Sequence, residues 1–327
     1  MMTKTEIKQE TKKGGIDLDK ILNSARGTFS KNEKGLALQM TSGSNITRPT
    51  KDSEFVLYPG EHWQALTGVR GIPFGKFVQI AGKPDSGKSS HAMAFMKSAQ
   101  DAGHIVVLWD AENKFSPNRF DNYFKGDSNQ LLSITSKVIL TGGDMVVAAC
   151  RAAMSAYPDK KVLVVWDSVG GTLSTAENTK NLRESRQMAI AAKENGQVLH
   201  AWVNLMEEVK DKDTNEERVA GLLINQTYAN IGSVGQKESG GQKVEYHSSI
   251  ILQLTRKGDL NKVRDGIKRK TGILTRAKVR KNHLFDGEDS IAELDLEVLA
   301  GSIRTPSKKL KESDDGGWDE DESESEE

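Results

Sequence analysis

The sequence has little cysteine and no long apolar run, and these two features argue against a disulfide-bonded protein and a membrane-spanning protein. Cys150 is the only cysteine, so no disulfide can form within the chain and a reducing compartment is expected. The longest apolar runs are about five residues, far below the roughly 20 that a membrane-spanning helix needs. The N-terminus lacks the apolar core of a signal peptide, and the six histidines have no spacing suited to a metal. We therefore expect a cytoplasmic protein without a membrane segment.

Charge is unevenly distributed along the 327 residues, although the formal net charge is zero. Residues 312–327 contain ten acidic side chains and no basic one, which leaves 46 basic and 36 acidic side chains in residues 1–311. A basic body beside an acidic tail is typical of proteins that meet polyanions. A solvated surface with a solubilising tail explains the same numbers equally well.

The apolar pattern divides the chain into three parts. Residues 1–54 form a polar arm whose one amphipathic stretch, 16–25, is either a short helix that docks on a neighbouring subunit or only transiently helical. Residues 55–301 alternate unbroken apolar strands with helical segments, which predicts an α/β domain with a mostly parallel sheet flanked by helices. Strand-like segments without intervening helices follow residue 245 and predict an antiparallel C-terminal extension of that sheet. Residues 302–327 are expected to be a disordered acidic tail.

The same pattern predicts the position of each element in this domain. Strands are expected at 76–82, 104–110, 161–167 and 219–226. Helices are expected at 88–103, 144–156 and 196–211. Ligands of open α/β sheets bind at the carboxyl ends of the strands, so polar residues that follow these strands are the first candidates for a functional site.

Residues 82–89, GKPDSGKS, match the pattern G-x-x-x-x-G-K-[ST] between a predicted strand and a predicted helix. In such a loop, backbone N–H groups surround the β-phosphate of a nucleotide, and the helix dipole favours its negative charge. Lys88 is expected to bridge the β- and γ-phosphates, and Ser89 is expected to bind Mg²⁺. The predicted nucleotide ligands are Gly82, Lys83, Pro84, Asp85, Ser86, Gly87, Lys88, Ser89 and Ser90.

Hydrolysis of a bound nucleotide requires a metal ligand and a general base. Asp167 ends a predicted strand and suits a Mg²⁺ ligand that acts through the water shell of the ion, although an aspartate there can also cap the following segment. Glu112 follows the strand 104–110 at the carboxyl edge of the sheet and is the candidate base. Asp110 is a weaker candidate for the same role.

These motifs together resemble the RecA family of recombinases over residues 62–285. The segments that carry the resemblance are ALTGVRGIPFGKFVQIAGKPDSGKSS, LWDAEN, VLVVWDSVGGTLS, LLINQ and KVRKNH. The resemblance implies that Glu112 activates the attacking water, that Asp167 with Ser168 forms the Walker-B end, and that Gln226 senses the γ-phosphate. It also implies that Lys281 reaches the ATP of a neighbouring subunit.

The sequence departs from the family pattern at two places in this site. His283 stands where the family has a second lysine that reaches the neighbouring ATP. The family often offers a tyrosine to the adenine shortly after Asp-Ala-Glu, whereas this chain leaves Arg119 or Phe120 to stack on the base.

The resemblance also implies two DNA-binding loops. Residues 175–188 correspond to the first, with Arg183 and Arg186 as phosphate ligands, although a solvated helix start explains these arginines nearly as well. Residues 227–242 correspond to the second, which begins directly after Gln226. Its candidate DNA contacts are glycine amides, polar side chains and insertable apolar side chains. They are Ile231, Gly232, Ser233, Val234, Gly235, Lys237, Gly240 and Gly241.

Residues 256–281 contain eleven basic and two acidic side chains. Such a density would make DNA binding strongly salt-dependent. The alternative is that part of this segment is only an exposed connection between strands.

The function implied by the resemblance is that of a DNA-dependent ATPase. It would use ATP and Mg²⁺, form a helical filament on single-stranded DNA, and promote homologous pairing and strand exchange with double-stranded DNA. Recombination mediators and single-strand-binding proteins would be its partners. The short length, the absence of the family's C-terminal domain and the acidic end look most like bacteriophage recombinases of the UvsX kind. The alternative is a non-catalytic RecA-like adaptor of a recombinase or helicase, and a ring helicase ranks third.

Overall fold

The computed structural model describes residues 49–179, 187–211, 214–229, 236–285 and 291–306. Its helices are α1 (Glu61–Thr67), α2 (Lys88–Asp101), α3 (Ile139–Ala156), α4 (Thr175–Thr179), α5 (Gln187–Glu208) and α6 (Gln242–His247). Short helical turns lie at Asp52–Glu54, Pro117–Arg119, Phe120–Phe124, Ser128–Gln130 and Val169–Gly171. The strands are β1 (Phe55–Leu57), β2 (Gly71–Pro73), β3 (Phe77–Gly82), β4 (Ile105–Asp110), β5 (Leu131–Ile134), β6 (Val162–Asp167), β7 (Val219–Ala229), β8 (Gln236–Glu238), β9 (Ser248–Arg264), β10 (Ile267–Asn282), β11 (Glu293–Leu299) and β12 (Ile303–Arg304).

Most of these strands belong to one large sheet with the order β12-β11-β10-β9-β3-β7-β6-β4-β5. The pairs from β9 through β3, β7, β6 and β4 to β5 are parallel. The pairs from β9 through β10 and β11 to β12 are antiparallel. β8 adds to β7 in the antiparallel sense, and β1 pairs with β2 in a separate ribbon. The predicted mostly parallel α/β sheet with an antiparallel C-terminal extension is confirmed.

The central strands are buried on both faces, which explains why their sequences are unbroken apolar runs. On β6, Leu163 and Val165 belong to one core cluster, which also contains the inner side of α2. Val164 and Trp166 alternate with them and belong to the opposite cluster, together with buried residues of α3 and α5. Helices pack on both faces of the sheet, and the loop 82–89 leaves the sheet at its carboxyl edge.

Among the described residues, α3 is the one helix that is long and apolar enough to cross a membrane by length and composition. Its Val146 and Cys150 are fully buried in the core cluster shared with α5, as in the core helix of a globular domain. It begins at Ile139, five residues before the predicted start, and Gly142 lies in the helix interior. A Cβ at Gly142 would lie 2.1 Å from the Trp109 ring, so the glycine allows the helix to approach β4 closely.

The structured region is longer than the sequence pattern predicts at both ends. Before residue 55, the Glu54 carbonyl accepts a hydrogen bond from the Phe74 amide at 3.0 Å. After residue 301, β12 pairs with β11, and Arg304 Nε donates to Glu297 Oε2 at 2.8 Å. The expectation of a disordered tail from residue 302 is therefore wrong for the first residues of that range. The rest of the two predicted flanks, 1–48 and 307–327, lies outside the described residues.

Candidate nucleotide and DNA site

The loop 82–89 connects β3 to α2 and folds around the Lys88 side chain. Lys88 Nζ donates hydrogen bonds to the backbone carbonyls of Gly82, at 2.9 Å, and Lys83, at 2.8 Å. Gly87 has a φ of 95°, which a glycine adopts without strain, and it caps the first turn of α2. Burial lowers the pKa of the Lys88 ammonium, although the carboxylates of Asp167, Glu112 and Asp85 oppose that effect. The ammonium is thus held at the N-terminus of a helix, where anions bind favourably.

Ser89 and Asp167 meet beside this loop. Ser89 Oγ donates a hydrogen bond to Asp167 Oδ2 at 2.9 Å, although the two residues are 78 positions apart in sequence. Burial raises the pKa of the Asp167 carboxyl to about 6, against the opposing effect of the Ser89 hydrogen bond. A cation bound beside Asp167 would lower this pKa and favour the ionised carboxylate. Among the described residues no cluster of three or more His, Cys, Asp or Glu could hold a metal by itself. A hydroxyl and one carboxylate are a small ligand set of the kind that suits Mg²⁺, which usually keeps water and phosphate ligands.

Glu112 lies opposite this pair and accepts hydrogen bonds from three side chains. Ser168 Oγ and Gln226 Nε2, the latter at 2.6 Å, both donate to Oε1, and Lys114 Nζ forms an ion pair with Oε2. Burial raises the pKa of Glu112, but the hydrogen bonds from Lys114 and Ser168 outweigh that effect and place the pKa below its usual value. Glu112 is therefore an ionised carboxylate whose acceptor sites are largely occupied.

Asp110 lines the same cavity as Glu112, but both of its carboxylate oxygens accept backbone amides. Its Oδ1 accepts the Lys114 amide at 3.0 Å, and its Oδ2 accepts the Phe115 amide at 2.8 Å. These bonds fix the turn that follows β4. Asp110 thereby positions Glu112, and Glu112 stays the better candidate for the base.

A cavity of about 270 Å³ brings the predicted phosphate, metal and water-activating residues to one place. Its wall includes Lys88, Ser89, Glu112, Asp167 and Gln226, which come from β3–α2, β4, β6 and β7. The loop also contains a buried hydroxyl, Ser86 Oγ, with no hydrogen-bond partner among the described residues. An unsatisfied donor in the loop, a buried ammonium and a hydroxyl–carboxylate pair all fit the phosphates and the metal ion of a bound nucleotide.

A second cavity, of about 480 Å³, lies on the other side of the loop. Arg119 lines it and is held by two hydrogen bonds, from Nη2 to Ser90 Oγ at 2.8 Å and from Nε to the Ala300 carbonyl at 3.1 Å. Its guanidinium lies 5.5 Å from the centre of the Phe124 ring. Phe120 is fully buried in the core, so it has no free face for a base. The expectation that Phe120 could stack on adenine is therefore wrong in this structure, and Arg119 is the candidate.

The second candidate DNA loop is more regular than expected, because β7 continues past Gln226. Thr227–Ala229 pair with Gln236–Glu238 of β8, so Lys237 lies on a strand. Two hydrogen bonds to Ser239 fix the base of this hairpin. The Ser239 amide donates to the Gln226 carbonyl at 3.0 Å, and Asn225 Nδ2 donates to the Ser239 carbonyl at 2.8 Å.

Gly240 and Gly241 form the turn between β8 and α6. They have φ values of 86° and 82°, and a Cβ at Gly240 would lie 2.6 Å from Val169. Asn195 Nδ2 of α5 donates to the Gly240 carbonyl at 3.2 Å. In the described structure these glycines serve a tight turn. Five candidate DNA contacts, Ile231, Gly232, Ser233, Val234 and Gly235, lie outside the described residues, as do Arg183 and Arg186.

Lys281 lies away from the phosphate-binding loop of its own chain. Its Nζ donates to the backbone carbonyls of Glu245, at 2.8 Å, and Tyr246, at 3.1 Å, at the C-terminal end of α6. A cation at this end of a helix is favourable. The lysine therefore has a structural partner within the subunit.

Three features of the site were not anticipated from the sequence. Lys114 binds Glu112, the Ala300 carbonyl anchors Arg119, and Lys270 from β10 reaches the second cavity. Only the first had a local signal, because Lys114 lies two residues after Glu112. The other two depend on the antiparallel strands folding back beside the phosphate-binding loop.

This arrangement of loop, metal pair and carboxylate agrees with a comparison against known proteins. The family described as "RecA N-terminal domain" matches residues 61–301. The chain belongs to the RecA family. Its relatives include "Protein RecA" of Ureaplasma parvum serovar 3, 28% identical over 68% of this chain and 62% of the relative. They also include "Protein RecA" of Cytophaga hutchinsonii, 28% identical over 66% of this chain and 57% of the relative, and of Nocardioides sp., 27% identical over 82% and 71%. This RecA-family chain thus spans about three fifths of the length of the first two relatives.

Proposed function

We propose that the protein is a DNA-dependent ATPase that forms filaments on single-stranded DNA and promotes homologous pairing and strand exchange with a duplex. One observation carries the proposal. The Gln226 side chain donates to the carboxylate of Glu112, and the Gln226 backbone carbonyl accepts from the Ser239 amide at the far end of the second candidate DNA loop. Because one residue joins both, DNA bound to the loop can alter the group that activates water. Similarity to proteins named RecA supports the same function.

The residues around the loop 82–89 would hold Mg²⁺ and ATP. When bound, the ion supplies positive charge against the phosphates and orients them for attack. The loop amides and Lys88 bind the phosphate oxygens, while Ser89 and Asp167 hold the ion. Arg119, fixed by Ser90 and Ala300, offers a flat guanidinium face on which a base can stack.

Glu112 orients and deprotonates the attacking water in this proposal, as a positioned general base does. With Ser168, Gln226 and Lys114 all donating to it, the carboxylate has little capacity left for water. A shift of Gln226 frees one of its acceptor sites. In this proposal hydrolysis is therefore slow without DNA and faster when DNA orders the loop.

The DNA contacts in this proposal come from both candidate loops. Arg183 and Arg186 would bind phosphates, and the second loop would grip the backbone through Gly232, Gly235 and Lys237 while Ser233 adds a polar contact. Ile231 or Val234 would insert between bases. Because phosphate contacts position a strand without reading its sequence, the base edges stay free for pairing with a duplex. Gly240 and Gly241 shape the turn that supports this loop.

Assembly into a filament would bring Lys281 to the ATP of a neighbouring subunit. Within one subunit its ammonium is bound by the two carbonyls of α6, so it has to leave them to act across the interface. The finer assignments stay predictions: a bacteriophage recombinase of the UvsX kind, a cytoplasmic location, and cooperation with mediator and single-strand-binding proteins.

Two assays test the proposal. ATP hydrolysis should rise on addition of single-stranded DNA and be lost in Lys88→Ala, and the wild type should form D-loops from a homologous single strand and a supercoiled duplex. Equal hydrolysis with and without DNA would contradict it. A chain that binds ATP, yet forms no filaments on single-stranded DNA under negative-stain microscopy, would instead be a non-catalytic adaptor.

A further inference from the structure

A third cavity, of about 350 Å³, adjoins the second cavity, which contains Arg119. Phe124 lines the third cavity, and its ring centre is 5.5 Å from the guanidinium carbon of Arg119. Ala300, whose carbonyl holds Arg119, lines the second cavity, and the next residue, Gly301, lines the third. The Phe124 ring and the backbone at residues 300–301 are therefore common to the walls of both cavities.

The interior of the third cavity is apolar. Tyr58, Ala94 and Phe124 contribute buried surface to it, and Ile303 contributes a half-buried side chain. The Tyr58 hydroxyl is hydrogen-bonded to His91 Nδ1 at 2.9 Å, which fixes that ring. Cavities of about 300 Å³ upward take a group as large as an aromatic side chain.

The rim of the third cavity is basic. Lys97 and Lys125 are the charged residues among the described ones that line it, and none of those lining residues is acidic. Lys97 forms an ion pair with Asp101 on the same helix, whose side chain is 63% exposed, so solvent weakens that pair. Lys125 is exposed. An apolar cavity between two cations suits an aromatic side chain accompanied by carboxylates.

A segment of this composition follows directly on the cavity. The described chain ends at Pro306, three residues after Ile303. Residues 307–327 contain ten acidic and three basic side chains, and their one aromatic residue, Trp318, is followed by Asp-Glu-Asp-Glu. Trp318 lies twelve residues beyond Pro306, and twelve residues span at most about 40 Å. A ligand tethered by so short a linker reaches an effective concentration of about a millimolar, so a weak contact suffices to hold it.

Other segments outside the described residues match the cavity less well. Leu310, a large apolar residue of the same tail, stands between Lys309 and Lys311, which the cations of the rim would repel. Residues 1–48 contain nine basic and five acidic side chains, so their net charge has the wrong sign. Charge and apolar content together favour Trp318 as the occupant.

We propose that Trp318 and the carboxylates that follow it occupy the third cavity of their own chain. The indole packs against Tyr58 and Phe124, and the carboxylates pair with Lys97 and Lys125. Because Phe124 and Ala300 also hold Arg119, the docked tail orders the wall on which the nucleotide base stacks and thereby raises nucleotide affinity. That effect rests on the nucleotide site proposed above, whereas the docking does not.

The docking is tested by the accessibility of Trp318 in the full chain. The other four tryptophans, Trp63, Trp109, Trp166 and Trp202, are buried in the core, so subtracting the emission of a Trp318→Phe counterpart isolates the signal of Trp318. Quenching of that signal by acrylamide is measured without nucleotide or DNA. Trp318 should be protected in the wild type and become accessible in urea.

Two charge-reversal variants are compared, each with its Trp318→Phe counterpart. The rim variant is Lys97→Glu, Lys125→Glu, and the control variant is Lys76→Glu, Lys137→Glu, at exposed lysines away from the cavity. Trp318 should be quenched several-fold more strongly in the rim variant and stay protected in the control. Adding Asp319→Lys and Glu320→Lys to the rim variant should restore protection, which a misfolded cavity would not allow. Equal quenching in the rim and control variants, or no recovery in the rescue variant, would overturn the proposal.

The effect on the nucleotide is measured with a fluorescent ATP analogue in the absence of DNA. Trp318→Ala should weaken binding roughly fivefold or more, as expected for coupled sites, whereas Leu310→Ala, the matched change in the same tail, should leave it unchanged. Equal affinities in these two variants would overturn the link to Arg119.

The remaining outcomes identify other occupants. A Trp318 that is accessible in the wild type overturns the proposal and leaves the cavity to a separate protein. Protection that appears only at concentrations where chains associate overturns docking within one chain and assigns the cavity to the tail of a second copy. A wild type that protects Trp318 but binds no nucleotide refutes the ATPase function while leaving the docking intact.

Discussion

Replacement of Gln226 by alanine tests the link between nucleotide and DNA most directly. The change removes the donor to Glu112 Oε1, at 2.6 Å, but leaves the Gln226 carbonyl that accepts from Ser239 at 3.0 Å. Glu112 keeps Ser168 and Lys114 as donors. One hydrogen bond contributes about 1 kcal/mol net, so the variant should stay folded. Lys88 is untouched, so ATP binding should persist.

The expected loss is in the coupling between the two ligands. Coupling free energies between sites are typically about 1–3 kcal/mol, or roughly 5- to 150-fold in affinity. Affinity for a single-stranded oligonucleotide is measured with and without a non-hydrolysable ATP analogue. The wild type should bind DNA more tightly with the analogue, and Gln226→Ala should lose most of that gain.

Ser168→Ala is the matched control for this experiment. It also removes one hydrogen bond to Glu112 Oε1, but Ser168 does not continue into the second loop. Only Gln226→Ala should lose the analogue-dependent gain in DNA affinity, whereas Ser168→Ala should keep it. A full gain in Gln226→Ala, or an equal loss in Ser168→Ala, would refute the reasoning.

Two further predictions concern single contacts. Lys114→Gln removes the ion pair to Glu112 and should raise ATP hydrolysis without DNA several-fold, measured as phosphate release; an unchanged basal rate would contradict a restraining role. Gly142→Ala places a Cβ 2.1 Å from the Trp109 ring and should destabilise the fold by about 1–3 kcal/mol. In thermal melts Gly258→Ala, which has open space around its Cβ position, should be close to neutral.

The sequence predicted the parallel part of the fold well because each central strand is an unbroken apolar run. The starts and ends of β3, β4 and β6 lie within one residue of their predicted positions. The helices were less predictable. α5 begins at Gln187, nine residues before the predicted start, and α3 begins at Ile139, five residues before its predicted start, with Gly142 inside the helix. Gly142 allows close packing of this helix against Trp109. Such a tertiary contact leaves no signal in the local sequence.

The candidate site also has a part that the sequence predicted and a part that it did not. The predicted phosphate, metal and water-activating residues each lie at or just after the end of a strand or at the start of a helix. The positions of Lys88, Asp167 and Glu112 could therefore be predicted once those elements were recognised in the sequence. Phe120 was misassigned because only the folded structure shows that its ring is buried. The second loop was expected to be irregular throughout, and the pairing of Tyr228 with Lys237 depends on a register that composition does not encode.

The regularity of that loop's base has a mechanical consequence for the proposed coupling. An irregular connection beginning at Gln226 could absorb a movement of DNA locally. A base held by strand pairing, by the Asn225 bond to Ser239 and by the Asn195 bond to Gly240 has fewer ways to do so. Displacement of β8 is therefore transmitted to the Gln226 carbonyl through the Ser239 amide. Since the Gln226 side chain donates to Glu112, this backbone bond is the link through which the proposed DNA loop would act on the proposed general base.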